Sequence, residues 1–192
     1  MAVILTDTNS IFVHIPKTGG MSMQKWLLEN TQSHVTKGAK HYSLKSLEEK
    51  YGAFNFSFAV VRNPWDWCAS WYFFSRDRAL RRIKHPKNKG KFSLEYNQQV
   101  LKEFEKGFEY FIQTTNLQQQ YTSIVGITKI LKLESIDNDI LPIAKMFNIE
   151  CPFPVVNTSN RNKNYRDYYN SVTKDVVSKK FAEDIEMFKY SF

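Results

Sequence analysis

Residues 11–22 read Ile-Phe-Val-His-Ile-Pro-Lys-Thr-Gly-Gly-Met-Ser. The apolar run Ile11, Phe12, Val13 and Ile15 has the length of a buried strand, and Pro16 stops it. Lys17, two glycines and Ser22 follow, and a helical pattern then runs through Met23, Trp26 and Leu27. A strand that passes through a Gly-containing turn into a helix presents a row of backbone N–H groups. The helix dipole adds partial positive charge at the same place, so the turn suits a phosphate or sulfate. Lys17 contributes a full charge and Ser22 a hydroxyl. The turn is not an ordinary nucleoside-triphosphate loop, because the lysine precedes the glycines and the chain has no Gly-Lys-Ser or Gly-Lys-Thr. Taken alone, a tight strand–helix turn with a surface lysine would look the same.

A second stretch, residues 56–74, reads Phe-Ser-Phe-Ala-Val-Val-Arg-Asn-Pro-Trp-Asp-Trp-Cys-Ala-Ser-Trp-Tyr-Phe-Phe. Phe56 to Val61 is a buried-strand candidate with Arg62 at its C-terminal end. Asn63 suits the cap of a following helix and Pro64 its first position. Ser70 lies about two turns further along that helix. An arginine fork and a serine hydroxyl can grip one phosphate from two sides.

Together these motifs resemble those of sulfotransferases that use 3′-phosphoadenosine 5′-phosphosulfate (PAPS). Pro16-Lys17-Thr18-Gly19-Gly20-Met21-Ser22 resembles the family's 5′-phosphosulfate loop. Arg62, Asn63, Pro64 and Ser70 resemble its 3′-phosphate motif, in which a serine stands eight positions after the arginine. Ile130–Glu134, Val156–Lys163 and Phe181–Tyr190 look like later elements of the family, in the same order. The likeness is to the branch with many carbohydrate sulfotransferases and small microbial relatives, and spans nearly the whole chain. It implies a three-layer, P-loop-like sulfotransferase fold, with a mainly parallel central sheet flanked by helices, formed by one domain over residues 1–192. It also implies that Lys17, Thr18, Gly19, Gly20 and Ser22 hold the 5′-phosphosulfate and that Arg62 and Ser70 hold the 3′-phosphate. Arg161 and Lys163 fall in the Asn-rich loop that closes over the nucleotide in relatives.

Composition fits such an enzyme. A chain of 192 residues, 42% hydrophobic and 15% aromatic, can build a real core. No apolar run approaches the ~20 residues of a membrane span. The start, Met1-Ala-Val-Ile-Leu5, has no basic leader, so the expectation is a soluble, cytoplasmic protein of microbial or viral type. Cys68 and Cys151 lack the paired spacing of a zinc site, which leaves no metal expected and two buried free thiols. The formal charge of +8 is concentrated. Residues 75–91 hold eight Lys or Arg and one acid, a net +7 that leaves +1 for the other 175 residues.

The periodicities predict strands at 11–15, near 34–36, at 56–61 and at 128–133. They predict helices at 20–30, 43–51, 64–80, 95–112, 137–147 and 172–188. Alternating strands and helices give a three-layer α/β domain, whose ligands sit beyond the C-terminal ends of the strands. Lys17 and Arg62 follow strands, so both fall on that edge, and residues 37–41 should join them.

In sulfuryl transfer the acceptor hydroxyl must lose a proton and the leaving phosphate must be stabilised. Lys17 and the N–H groups of 18–22 suit the second need. His41, after the second strand and before a helix, is the candidate base, with Glu48 or Glu49 as alternatives. His14 is read inside the first strand, with its ring against the sheet. Glu134 ends a strand and braces a neighbouring loop. The function expected is PAPS-dependent transfer to a hydroxyl, most plausibly of a carbohydrate, without a metal. The alternative is a nucleotide- or polyanion-binding module on the same fold. A kinase is disfavoured by the missing Gly-Lys-Ser/Thr, and no nucleic-acid-binding module is recognised, so no nucleic acid is expected as a partner. The basic segment either draws an anionic acceptor such as an acidic glycan or is a solvated helix end.

Overall fold

The computed structural model describes residues 1–38, 42–85, 93–156 and 161–192. In chain order its strands are β1 (Val3–Leu5), β2 (Ser10–Val13), β3 (Ser33–Val35), β4 (Phe56–Val61) and β5 (Lys129–Lys132). Its helices are α1 (Gly20–Asn30), α2 (Leu44–Tyr51), α3 (Pro64–Lys84), α4 (Leu94–Glu105), α5 (Gly107–Thr114), α6 (Ile136–Asp139), α7 (Leu141–Met146), α8 (Ser171–Lys180) and α9 (Ala182–Phe188). The chain divides into two compact units. One comprises Met1–Asn63 with Gln118–Thr158, the other Pro64–Leu117 with Ser159–Phe192.

The first unit is α/β. Its five described strands form one sheet in the order β3-β1-β2-β4-β5. β4 pairs in parallel with β2 and β5, with Phe12 opposite Phe58 and Ala59 opposite Ile130. β1 runs antiparallel to both of its neighbours, β2 and β3. The sheet is therefore mixed, and parallel where β2, β4 and β5 meet. The segment Met1–Leu5 thus supplies a strand that hydrophobic periodicity does not reveal. All three residues of β1 are buried, so no inside–outside alternation marks it. The reversal into β2 turns through Thr6–Asn9, where Asn9 takes a left-handed φ of 47°, a conformation Asn tolerates better than most residues. β4 reads as a nearly continuous apolar run because five of its six residues are buried, as a central parallel strand requires.

One apolar cluster unites this unit. Phe12, Phe58, Val60 and Leu131 from the sheet pack with Met23, Trp26 and Leu27 of α1 and with Ile140 and Ile143 of the α6–α7 region. The Trp26 indole N–H donates to the Cys151 carbonyl at 3.0 Å and ties α1 to the chain leaving α7.

The second unit, among its described residues, is helical. α3 begins with Pro64, which has no N–H to leave unpaired, and continues four residues past its expected end at 80. The 95–112 element is two helices, parted at Lys106–Gly107, where Gly107 has φ of 92°. The final helix is also two, parted at Phe181. Asn170 begins α8 with a reciprocal cap, its side chain accepting from Thr173 N–H at 2.8 Å while the Thr173 hydroxyl accepts from Asn170 N–H at 3.0 Å. The core here is aromatic: Tyr72 lies 5.2–5.4 Å from the rings of Phe104, Phe108 and Phe111.

Candidate anion site

β3 and β2 both run antiparallel to β1, so β2, β3, β4 and β5 all point the same way. The segments that follow them, 14–19, 36–38, 62–63 and 133–135, share one edge of the sheet. Here the candidate anion loop is built. Ile15 is buried and anchors the descending chain. The Thr18 hydroxyl is buried and donates to the Ile15 carbonyl at 2.9 Å, which closes the turn. Lys17 and Gly19 both adopt left-handed backbone, with φ of 66° and 80°. Such a conformation is costly for a lysine and is typically held only where the surroundings fix it.

α1 then starts at Gly20. Gly19 caps it without a side-chain hydrogen bond, and its first turn holds no acid. The positive end of the helix dipole is thus not offset by a carboxylate of its own first turn. Gly20 meets a close neighbour: a Cβ there would stand 2.0 Å from Cδ2 and 2.1 Å from Nε2 of His14. β2 ends at Val13, so His14 lies one residue beyond the strand. Its ring is half-buried, packs on Gly20 and, as expected, lies against the sheet, stacked beside the Phe12 ring of β2 with centroids 6.1 Å apart. The Ser22 hydroxyl is buried and accepts from the Val156 N–H at 3.0 Å. The Thr18 hydroxyl therefore closes its own turn, while the Ser22 hydroxyl holds the distant segment at Val156.

The second motif meets the first in this unit. Arg62 leaves the end of β4, and its Nη1 donates to the Lys17 carbonyl at 3.0 Å. Its backbone is held on both sides by Gln120, whose Oε1 accepts from Arg62 N–H at 2.8 Å and whose Nε2 donates to Arg62 C=O at 2.6 Å. Glu134, just past β5, accepts from Asn63 N–H at 2.6 Å. It does brace a loop, and the loop is the Arg62 corner. Gln120 is almost fully buried; nothing in its Gln118-Gln119-Gln120 context sets it apart in the sequence.

His41 lies outside the described residues. Lys37, which precedes it at the same edge, is tied to α2: its N–H bonds the Tyr51 hydroxyl at 3.0 Å and its carbonyl accepts from Lys50 Nζ at 2.9 Å. A cavity of ≈ 620 Å³ opens at the opposite edge of the sheet, lined by Leu5, Asp7, Asn30, Gln32 and Phe147, and takes no part in the anion loop.

The other sequence candidates belong to the second unit. Ser70 is buried within α3. Arg161 is nearly buried and ion-pairs with Asp66 in the first turn of α3. Lys163 is exposed. Cys68 is buried and Cys151, in the first unit, is exposed, so only one of the two free thiols is enclosed as expected. Burial pushes the Cys68 thiol well up, with Asp184 adding to the shift and Lys180 opposing it. Burial likewise raises Tyr169, whose hydroxyl donates to the Trp65 carbonyl at 2.8 Å.

Among the described residues, no group of three or more His, Cys, Asp or Glu could hold a metal ion, and no helix is long and apolar enough to cross a membrane. Family models, curated proteins and solved structures yield no match to this chain.

Proposed function

We propose that this chain is a PAPS-dependent sulfotransferase acting on a hydroxyl of a carbohydrate. One observation supports the reading above the others. Arg62, which the resemblance assigns to the 3′-phosphate, donates to the backbone of Lys17, assigned to the 5′-phosphosulfate, across 45 residues of sequence. Two cations at one sheet edge, beside an uncapped helix N-terminus, suit a nucleotide that is anionic at both its 3′ and 5′ positions.

In the proposed reaction the acceptor oxygen forms a bond to sulfur as the bond from sulfur to the bridging phosphate oxygen breaks. The electron pair leaves with 3′-phosphoadenosine 5′-phosphate, and the acceptor proton passes to a base, for which His41 is the candidate. Lys17 and the N–H groups at the start of α1 stabilise the charge growing on the leaving phosphate. Thr18 and Ser22 contribute through their N–H groups, and Thr18 also through the turn that its hydroxyl closes. The resemblance also assigns nucleotide contacts to Ser70, Arg161 and Lys163.

The test is calorimetric titration with PAPS and with ATP, followed by transfer of radiolabelled sulfuryl from PAPS to a panel of carbohydrates. PAPS should bind more tightly than ATP, and Lys17→Ala should slow transfer by roughly 10²–10³-fold while the chain remains folded. Near-normal turnover in that variant would remove Lys17 from the chemistry. Binding with no transfer to any acceptor would favour the non-catalytic module.

A further inference from the structure

We infer that the C-terminal half of α3 is a docking surface for a sulfated or carboxylated glycan. Its role as the acceptor's surface rests on the sulfotransferase reading; its binding of polyanion does not. Because α3 runs on to Lys84, the first part of the basic segment is one continuous helix. Arg78, Arg81 and Arg82 stand at i, i+3 and i+4, so they share a face, with Arg78 and Arg82 about 6 Å apart along the axis. Arg78 and Arg81 are exposed and Arg82 is half-exposed.

Three further features separate this face from an ordinary solvated one. Partial burial, and then the Arg82 and Arg81 charges, pull the Arg78 guanidinium below its ordinary value, so these like charges are held close enough to repel. An anion laid across them would relieve that repulsion. The guanidinium of Arg78 lies over the Phe74 ring at 5.2 Å, which orders that fork before any ligand arrives, while Arg76, on another face, is paired with Asp77. Ordered guanidinium forks match the paired oxygens of sulfate and carboxylate. Finally, Tyr96 of α4 is 49% exposed and lies within electrostatic range of Arg78, which places an aromatic side chain near the charges.

A single-stranded nucleic acid fits less well. Its non-specific binders stack successive bases on several open rings, whereas guanidiniums cover Phe73 and Phe74.

The test titrates the whole chain, without PAPS, with a sulfated dextran oligosaccharide, a neutral dextran of equal length and a single-stranded RNA of equal charge, each across a range of salt. Sulfated dextran should bind, neutral dextran should not, and affinity should fall steeply with salt. Replacing Arg78, Arg81 and Arg82 together by Ser should weaken binding by roughly 10- to 100-fold. It should also flatten the logarithmic salt slope by about two, at ~0.7–0.9 for each anionic group that no longer meets an arginine. The Arg→Lys triple variant should keep the slope and lose part of the affinity, because charge remains and the fork does not. Circular dichroism confirms that each variant is folded; if the Ser triple variant is not, Arg81→Ser at its exposed site carries the measurement. Unchanged binding in the folded Ser variant overturns the proposal, as does tighter binding of RNA than of sulfated dextran. A chain that binds sulfated dextran in this manner but does not bind PAPS keeps the surface and refutes the sulfotransferase reading.

Discussion

Gly20 and His14 occupy space that only one of them can fill. An alanine at 20 would put its Cβ 2.0 Å from the imidazole, and such overpacking costs typically 1–3 kcal/mol. Gly20→Ala should lower stability by about that much and weaken phosphate binding, while adding His14→Ala should restore most of both. Urea denaturation of the four proteins of this cycle gives the coupling, expected within ~0.5–3 kcal/mol; additive losses would show that the ring yields. Arg62 makes the second prediction at this scale. Arg62→Ala should weaken binding of 3′-phosphoadenosine 5′-phosphate by about 10- to 100-fold, since a charge-assisted bond contributes ~1.5–3 kcal/mol. Adenosine 5′-phosphosulfate, which lacks the 3′-phosphate, should lose much less, and equal losses in calorimetry would contradict the assignment. Lys17, the glycine pair and Arg62 were legible because each follows a recognisable strand end. Gln120 was not, because it acts on a residue 58 positions away; Glu134 was legible as a loop brace, but not which loop it holds, since that lies 71 positions away. His14 keeps its ring against the sheet beside Phe12, although β2 stops at Val13, two residues sooner than the apolar run to Ile15 suggests.

Elements that follow a single period were read well, and breaks in a continuing period were not. Phe104, Phe108 and Phe111 keep helical spacing across Lys106–Gly107, so the 95–112 pattern conceals a left-handed residue. The same holds at Phe181, which fits the apolar stripe of the final segment yet stands between α8 and α9. β1 was missed because three buried residues give no alternation to read. Gly107 offers a clean test of the break between α4 and α5. Nothing lies within 4 Å of where its Cβ would be, so Gly107→Ala meets no clash. Its φ of 92° alone should cost about 1–2 kcal/mol, read as a lower urea midpoint with an unchanged slope. An unchanged midpoint would mean that α4 and α5 fuse freely into one helix.

On the scale of the whole molecule, the division into two units was invisible because the chain moves from one to the other at Asn63–Pro64, inside a motif and without a linker composition. Stability at high pH is a property of the entire folding equilibrium, and two buried groups set its direction. Folding raises the Cys68 thiol above its ordinary 9.0 and the Tyr169 phenol above its ordinary 10.0. The unfolded chain therefore releases these protons first, binds fewer of them, and gains population as pH rises. Stability should hold below about pH 9, then decline at up to ~1.4 kcal/mol per pH unit for each group, the thiol first and the phenol about one unit later. Urea midpoints from about pH 8 to 11 check this, and Cys68→Ala should delay the onset toward pH ~10; an unchanged onset would point to other groups. The thiol that does not share this enclosure has a different use. Cys151 is exposed, and its carbonyl holds the indole of Trp26 on the helix that opens from the anion loop. A maleimide dye should attach there while the enclosed Cys68 stays unlabelled, which sets the dye beside Trp26. If an anion binds beside Lys17 and shifts α1, the emission of that dye should change as the anion is added, with no engineered label site.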